Sequence, residues 1–162
     1  CCAGYYCSSS ACVAKKSNGN TCSTSNQCAS GKCVDGYCCN SDCTGSCESC
    51  AVSGSQGTCT DIPAGTDPDG ECTLCRTCNG AGSCVNVPAG QDSTNDCVQE
   101  AQSTCGLDGT CDGNAACRYW VPSTVCHNQA CSGSTLETAD RCNGAGTCMD
   151  TGTSSCCPYV AL

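Results

Sequence analysis

Residues 22–50 read CSTSNQCASGKCVDGYCCNSDCTGSCESC, and eight of them are cysteine. Six set the spacing C-x5-C-x4-C-x4-CC-x3-C, at Cys22, Cys28, Cys33, Cys38, Cys39 and Cys43. The adjacent pair constrains the fold. Neighbouring Cα atoms lie about 3.8 Å apart, short of the about 4.4–6.8 Å that an ordinary bridge spans. Cys38 and Cys39 are therefore expected to bond different partners, which ties two loops to one point. Small knotted toxins and inhibitors use a similar pair. The connectivity itself is not readable, because eight cysteines already allow on the order of a hundred pairings.

Outward from this stretch the same composition holds. The chain has 27 cysteines in 162 residues, well past the about 8–10% that marks a disulfide scaffold. Nine Val, four Leu, one Ile and no Phe make up the branched and aromatic core formers. That is too few for an ordinary core, and a chain below about 20% of such residues tends to disorder. Ordering each residue costs about 1–2 kcal/mol. Bridges worth about 2–4 kcal/mol each, acting mainly on the unfolded chain, can offset much of this. Such bridges persist in an oxidising compartment. The expectation is an extracellular or cell-surface protein.

Six Lys and Arg oppose fifteen Asp and Glu, for a net charge of −9. This argues against nucleic acid and anionic membrane surfaces, both of which select basic patches. No apolar run approaches the about 20 residues of a membrane span. No signal-peptide pattern is present. A chain that starts at Cys1 implies a removed leader or a piece of something longer.

Internal repeats organise the chain. Residues 57–72, GTCTDIPAGTDPDGEC, align without a gap to residues 82–97, GSCVNVPAGQDSTNDC. The unit CNGAGSC at 78–84 returns as CNGAGTC at 142–148, with looser relatives CGLDGTC at 105–111 and DGNAAC at 112–117. Each reads as a tight turn, where Gly supplies positive φ and Asn or Asp bonds its own backbone. Three segments with soft boundaries follow: a cysteine-dense, knot-like unit over 1–50, a Pro-Ala-Gly repeat unit over 51–104, and a cysteine-rich unit over 105–162. Short strands are expected at Lys32–Tyr37, Cys84–Val87 and Arg118–Val121, and at most a helical turn or two within Asn95–Thr104. The predicted fold is small and disulfide-rich: an elongated, loop-rich array of short β-hairpins with little or no helix.

Several motifs have competing readings. Cys47-x2-Cys50 and Cys72-x2-Cys75 have nearly a zinc-ribbon spacing, and Cys72, Cys75 and Cys78 part of an iron–sulfur run. At this cysteine density such spacings arise by chance, so neither a metal nor any other cofactor is assigned. Asp67, Asp69 and Glu71 in TDPDGE form a weak calcium candidate that lacks the rest of a calcium loop; a solvated turn is the preferred reading. His127 is the only histidine, and no nucleophile or phosphate-loop motif accompanies it, so no catalytic residue is assigned. Tyr5, Tyr6, Tyr119 and Trp120 are contact candidates, since aromatics anchor interfaces. The cysteine count is odd, and adjacent pairs sit near both ends. This makes Cys1, Cys2, Cys156 and Cys157 candidates for bonds between chains.

The stretch Gly19–Pro68 resembles the cysteine-rich repeats of large surface proteins of myxobacteria and related bacteria. CVDGYCC followed by C-x3-C-x2-C is its most specific part. The later CNGAG-C units, ACRYWVPSTVC and ACSGSTLE are similar to a continuation of the same repeat. The resemblance implies secretion, disulfides and a structural role at the cell surface, and it supplies no catalytic residues. The reading is a disulfide-stapled structural protein, a self-assembling subunit of a surface fibre or filament with a possible cell-surface partner. A knottin-like adhesion module or inhibitor is the alternative, and a metal-binding protein comes third.

Overall fold

A computed structural model describes residue 1 and residues 3–155. They form short strands and two three-residue 3-10 turns, Ser25–Gln27 and Gln102–Thr104, with no longer helix among them. The fold is a small, disulfide-rich, loop-rich set of hairpins. It divides into two compact units, Cys1–Val85 and Asn86–Leu162. This division falls inside the Pro-Ala-Gly segment and not at either of its ends.

The first unit holds four hairpins. Strands β1 (Tyr5–Ser8) and β2 (Ala11–Ala14) pair with Cys7 opposite Cys12. Strands β3 (Cys33–Val34) and β4 (Tyr37–Cys38) pair across Asp35-Gly36. Both turn residues have positive φ, 51° and 78°, as a two-residue hairpin turn demands. The stretch Lys32–Tyr37 is therefore folded back on itself and is not one strand. Its alternation is real, but Asp-Gly is a stronger signal than the alternation around it. Strands β5 (Glu48–Ser49) and β6 (Thr60–Asp61) pair next, then β7 (Arg76–Cys78) and β8 (Cys84–Asn86), the last crossing into the second unit by one residue.

In the second unit β9 (Leu107–Cys111) pairs with β10 (Cys117–Tyr119). A three-stranded sheet follows from β11 (Val125–His127), β14 (Asp140–Cys142) and β15 (Cys148–Met149). Another is built from β12 (Ala130–Ser132), β13 (Thr135–Glu137) and β16 (Thr153–Ser155). Within Asn95–Thr104 the only helical element is the turn at Gln102–Thr104.

The core is cystine. Twelve of the fourteen buried apolar residues described are cysteines, and the other two are Ile62 and Val87. These two occupy the same place in the aligned repeats. Bridges interlace along the chain in two runs that meet at the adjacent pair: Cys22–Cys33 overlaps Cys28–Cys38, and Cys39–Cys50, Cys43–Cys59, Cys47–Cys78 and Cys72–Cys84 each overlap the next. In the second unit Cys97–Cys117, Cys105–Cys142 and Cys126–Cys148 overlap likewise. Cys75, Cys111 and Cys131 are also disulfide-bonded. Cys38 and Cys39 bond Cys28 and Cys50 respectively, so the adjacent pair does tie two loops to one point.

One backbone clamp occurs in three full copies and one half copy among the described residues. Gly65 N–H donates to Cys78 O at 2.9 Å, and Cys78 N–H donates to Thr66 O at 3.0 Å. The same reciprocal pair joins Gly90 and Gln91 to Cys111, and Gly19 and Asn20 to Cys38. Half of it, Cys142 N–H to Thr124 O at 2.9 Å, recurs beside Ser123. The turn residue has φ of 85°, 81°, 83° and 82° at Gly19, Gly65, Gly90 and Ser123. In three of the copies the clamped cysteine opens a hairpin loop. There Asn79, Asp112 and Asn143 each accept two backbone N–H groups on Oδ1. The Pro-Ala-Gly motif and the CNGAG-C motif are thus two halves of one unit.

Candidate functional site

Among the described residues, those singled out in the sequence lie on separate elements of the two units. Asp67 accepts Glu71 N–H on Oδ1 at 3.0 Å and Cys72 N–H on Oδ2 at 3.0 Å. Glu71 Oε2 accepts Cys47 N–H at 2.6 Å. The aligned Asp92 does the same work, accepting Asp96 N–H at 2.9 Å and Cys97 N–H at 3.1 Å. In both repeats this carboxylate shapes the turn that delivers a bridged cysteine. Asp69 lines a groove of about 370 Å³ together with Ala51, Val52, Pro63 and Pro68 among others.

The aromatic candidates fall in different units. Tyr5 is exposed and Tyr6 half-buried on β1, opposite Ala14 and Val13. Trp120 packs against the buried cluster of Cys105, Cys126 and Cys142, and its indole N–H donates to Glu100 O at 3.1 Å. Packing against cystine is the role the structure gives it. Tyr119 is exposed, with its ring against Gly146.

Of the interchain candidates, Cys1 is bridged to Cys12 of the same chain. Cys2, Cys156 and Cys157 lie outside the described residues. The free cysteine among the described residues is Cys7, exposed on β1. Spacing carries no sign of it, since Cys7 differs from Cys1 and Cys12 only in which bond is made.

The zinc-ribbon spacing is divided among separate bridges, Cys47–Cys78, Cys39–Cys50 and Cys72–Cys84, with Cys75 bonded as well. Sulfurs of neighbouring bridges do stack, Cys47 Sγ lying 3.3 Å from Cys72 Sγ. A bridged sulfur has no thiolate to give a metal, because the thiolate is the ligand form. His127 is exposed, with Nδ1 3.1 Å from Asp140 Oδ2 and 3.8 Å from Cys148 Sγ. Cys148 is bridged to Cys126, so among the described residues this histidine faces an acid and a cystine.

Two polar centres carry no mark in the sequence. Asp35 Oδ2 accepts Ser49 Oγ–H and Cys50 N–H, both at 2.8 Å, holding the β3–β4 turn to β5. Asp108 is buried and pairs with Arg118 Nε at 2.6 Å, while Thr110 donates N–H and O–H to its other oxygen. Both are structural hubs: Asp35 reaches across to the next hairpin, and Asp108 joins its own turn to the facing strand of the β9–β10 hairpin. Comparison of the chain with protein-family models, with curated proteins and with solved structures finds no match.

Proposed function

We propose that the protein is an extracellular structural element, a subunit of a surface fibre or filament whose covalent skeleton replaces a hydrophobic core. The observation that carries this reading is the make-up of the interior: twelve buried cysteines against Ile62 and Val87. A chain of interlaced bridges keeps its shape without a large core, which suits a surface exposed to proteases, dilution and changing temperature. Bridges persist outside the reducing cytosol. An acidic surface, net −9, keeps copies apart until a specific contact forms. The resemblance of Gly19–Pro68 to repeats of bacterial surface proteins points the same way. So does the modular build, in which one clamp and one hairpin recur along the chain.

The alternative of a binding module rests on the exposed Tyr5 of β1 and on Tyr119. Self-association separates the two readings. Native protein is run by light scattering over a range of concentrations and on gels with and without reductant. A subunit gives concentration-dependent assemblies. A particle that stays monomeric at all concentrations removes the filament reading and leaves the binding module.

A further inference from the structure

Three sulfurs meet on the β1–β2 hairpin. Cys1 is bonded to Cys12. Cys7, directly across the hairpin from Cys12, is a free thiol whose Sγ lies 2.8 Å from Cys1 Sγ. All three residues are exposed, whereas twelve other cysteines are buried. A thiol in contact with a disulfide sulfur is the reactant pair of disulfide exchange, and here both partners are held by one two-stranded ribbon. We propose that Cys1, Cys7 and Cys12 form a thiol–disulfide exchange site, in which one bridge and one thiol are shared among three positions.

The step balances without any other reagent. Cys7 loses its proton to solvent, and its thiolate electron pair forms the Cys1–Cys7 bond. The Cys1–Cys12 bond breaks, its electron pair leaves on Cys12 Sγ, and Cys12 takes up a proton. One disulfide and one thiol are present before and after, so nothing is oxidised or reduced overall. The two bridges close loops of similar size, with sequence separations of 11 for Cys1–Cys12 and 6 for Cys1–Cys7. Loop entropy favours the shorter by only about two- to threefold. Exchange proceeds through the thiolate and depends on access, and the exposed ribbon provides access at each position. The ligand class of the site is therefore a second disulfide: an exposed thiolate on either strand can take up a sulfur from an external disulfide by the same step. The internal exchange stands whether or not the chain self-associates.

The test uses the whole native chain. The free thiol is trapped slowly with iodoacetamide at mildly alkaline pH, exchange is frozen with acid, and the unreduced protein is digested with pepsin in acid and mapped. The expected result is alkylation divided between Cys7 and Cys12, within about tenfold of each other, with Cys1–Cys12 accompanying the first product and Cys1–Cys7 the second. Cys12→Ser should convert the site to a Cys1–Cys7 bridge and abolish labelling there. Cys7→Ser should keep Cys1–Cys12 and leave Cys12 unlabelled. Label confined to Cys7 after prolonged trapping overturns the proposal. So does a native Cys7 bridged to any cysteine other than Cys1. Free Cys1 and Cys7 together in Cys12→Ser, or a labelled Cys12 in Cys7→Ser, overturns it equally. Incubation with glutathione disulfide provides the external arm. A mixed disulfide should appear on Cys7 or Cys12, at least about tenfold faster than on any buried cystine. An adduct spread over all bridges alike would refute the assignment of the site.

Discussion

Gly57 tests how closely its turn approaches the turn at Gly19 within the first unit. Its φ is +87°, and a Cβ placed on it would overlap Gly19 N and lie 2.6 Å from Gly19 Cα and 2.7 Å from the Asn18 carbonyl carbon. These are backbone atoms of a clamped turn and cannot swing aside. Gly54, in the same loop, has φ +84° and nothing within 4 Å of its ideal Cβ. An alanine at either position carries the left-handed cost of about 1–2 kcal/mol. Gly57→Ala adds an enforced backbone shift, about 1–3 kcal/mol by analogy with overpacked cores. Its total is about 2–5 kcal/mol, against about 1–2 kcal/mol for Gly54→Ala. The affected bonds are Gly19 N–H to Cys38 O at 2.9 Å and Asn40 N–H to Gly57 O at 3.0 Å. Amide hydrogen exchange with bridges intact reads both, since local opening sets the rate. Those two amides should exchange about 5- to 150-fold faster in Gly57→Ala than in Gly54→Ala, the ratio equivalent to the added 1–3 kcal/mol. Equal acceleration by the two variants, within about twofold, would refute the close approach of the two turns.

The paired carboxylates give a second test. Asp67→Ala and Asp92→Ala should each lose about 1–2 kcal/mol, as for a lost side-chain cap, measured by guanidinium unfolding with bridges intact; EDTA should leave the parent curve unmoved, while reductant abolishes the fold. Removing the Cys47–Cys78 bridge as the Cys47→Ser, Cys78→Ser double variant should cost about 4 kcal/mol for a loop of sequence separation 31 on the chain-entropy model, and removing Cys22–Cys33, separation 11, as the Cys22→Ser, Cys33→Ser double variant about 3 kcal/mol by the same relation; the same unfolding assay ranks them. Arg118→Met strands the buried Asp108 with Thr110 as its remaining donor and should destabilise the second unit by about 1–3 kcal/mol, read from Trp120 fluorescence.

Much of the architecture could be read residue by residue. The absence of core formers required a cystine interior. The adjacent Cys38 and Cys39 required two partners. The aligned Gly, Pro and Asp positions marked turns, and Ile62 and Val87, alike in the alignment, proved alike in burial. The repeat alignment also held the signal for Asp67 and Asp92. Both stand five residues before a cysteine whose amide they hold, a feature that a calcium reading of Asp67, Asp69 and Glu71 overlooks. One local signal was legible but outweighed by the wrong pattern. Lys32–Tyr37 alternates like a strand, yet it folds at Asp35-Gly36 because positive φ at two successive residues reverses the chain.

The sequence by itself determined what holds this protein together, because composition alone leaves no stabilising term large enough except covalent closure, and turn chemistry is local. Only the tertiary structure decided which sulfur meets which. Spacing along a flexible chain leaves loop-closure free energies that differ by little, so pairing depends on where each hairpin has already placed its cysteines. The β1–β2 hairpin shows this: it brings Cys7 and Cys12 opposite each other and both to the sulfur of Cys1, a meeting of three sulfurs that spacing does not reveal.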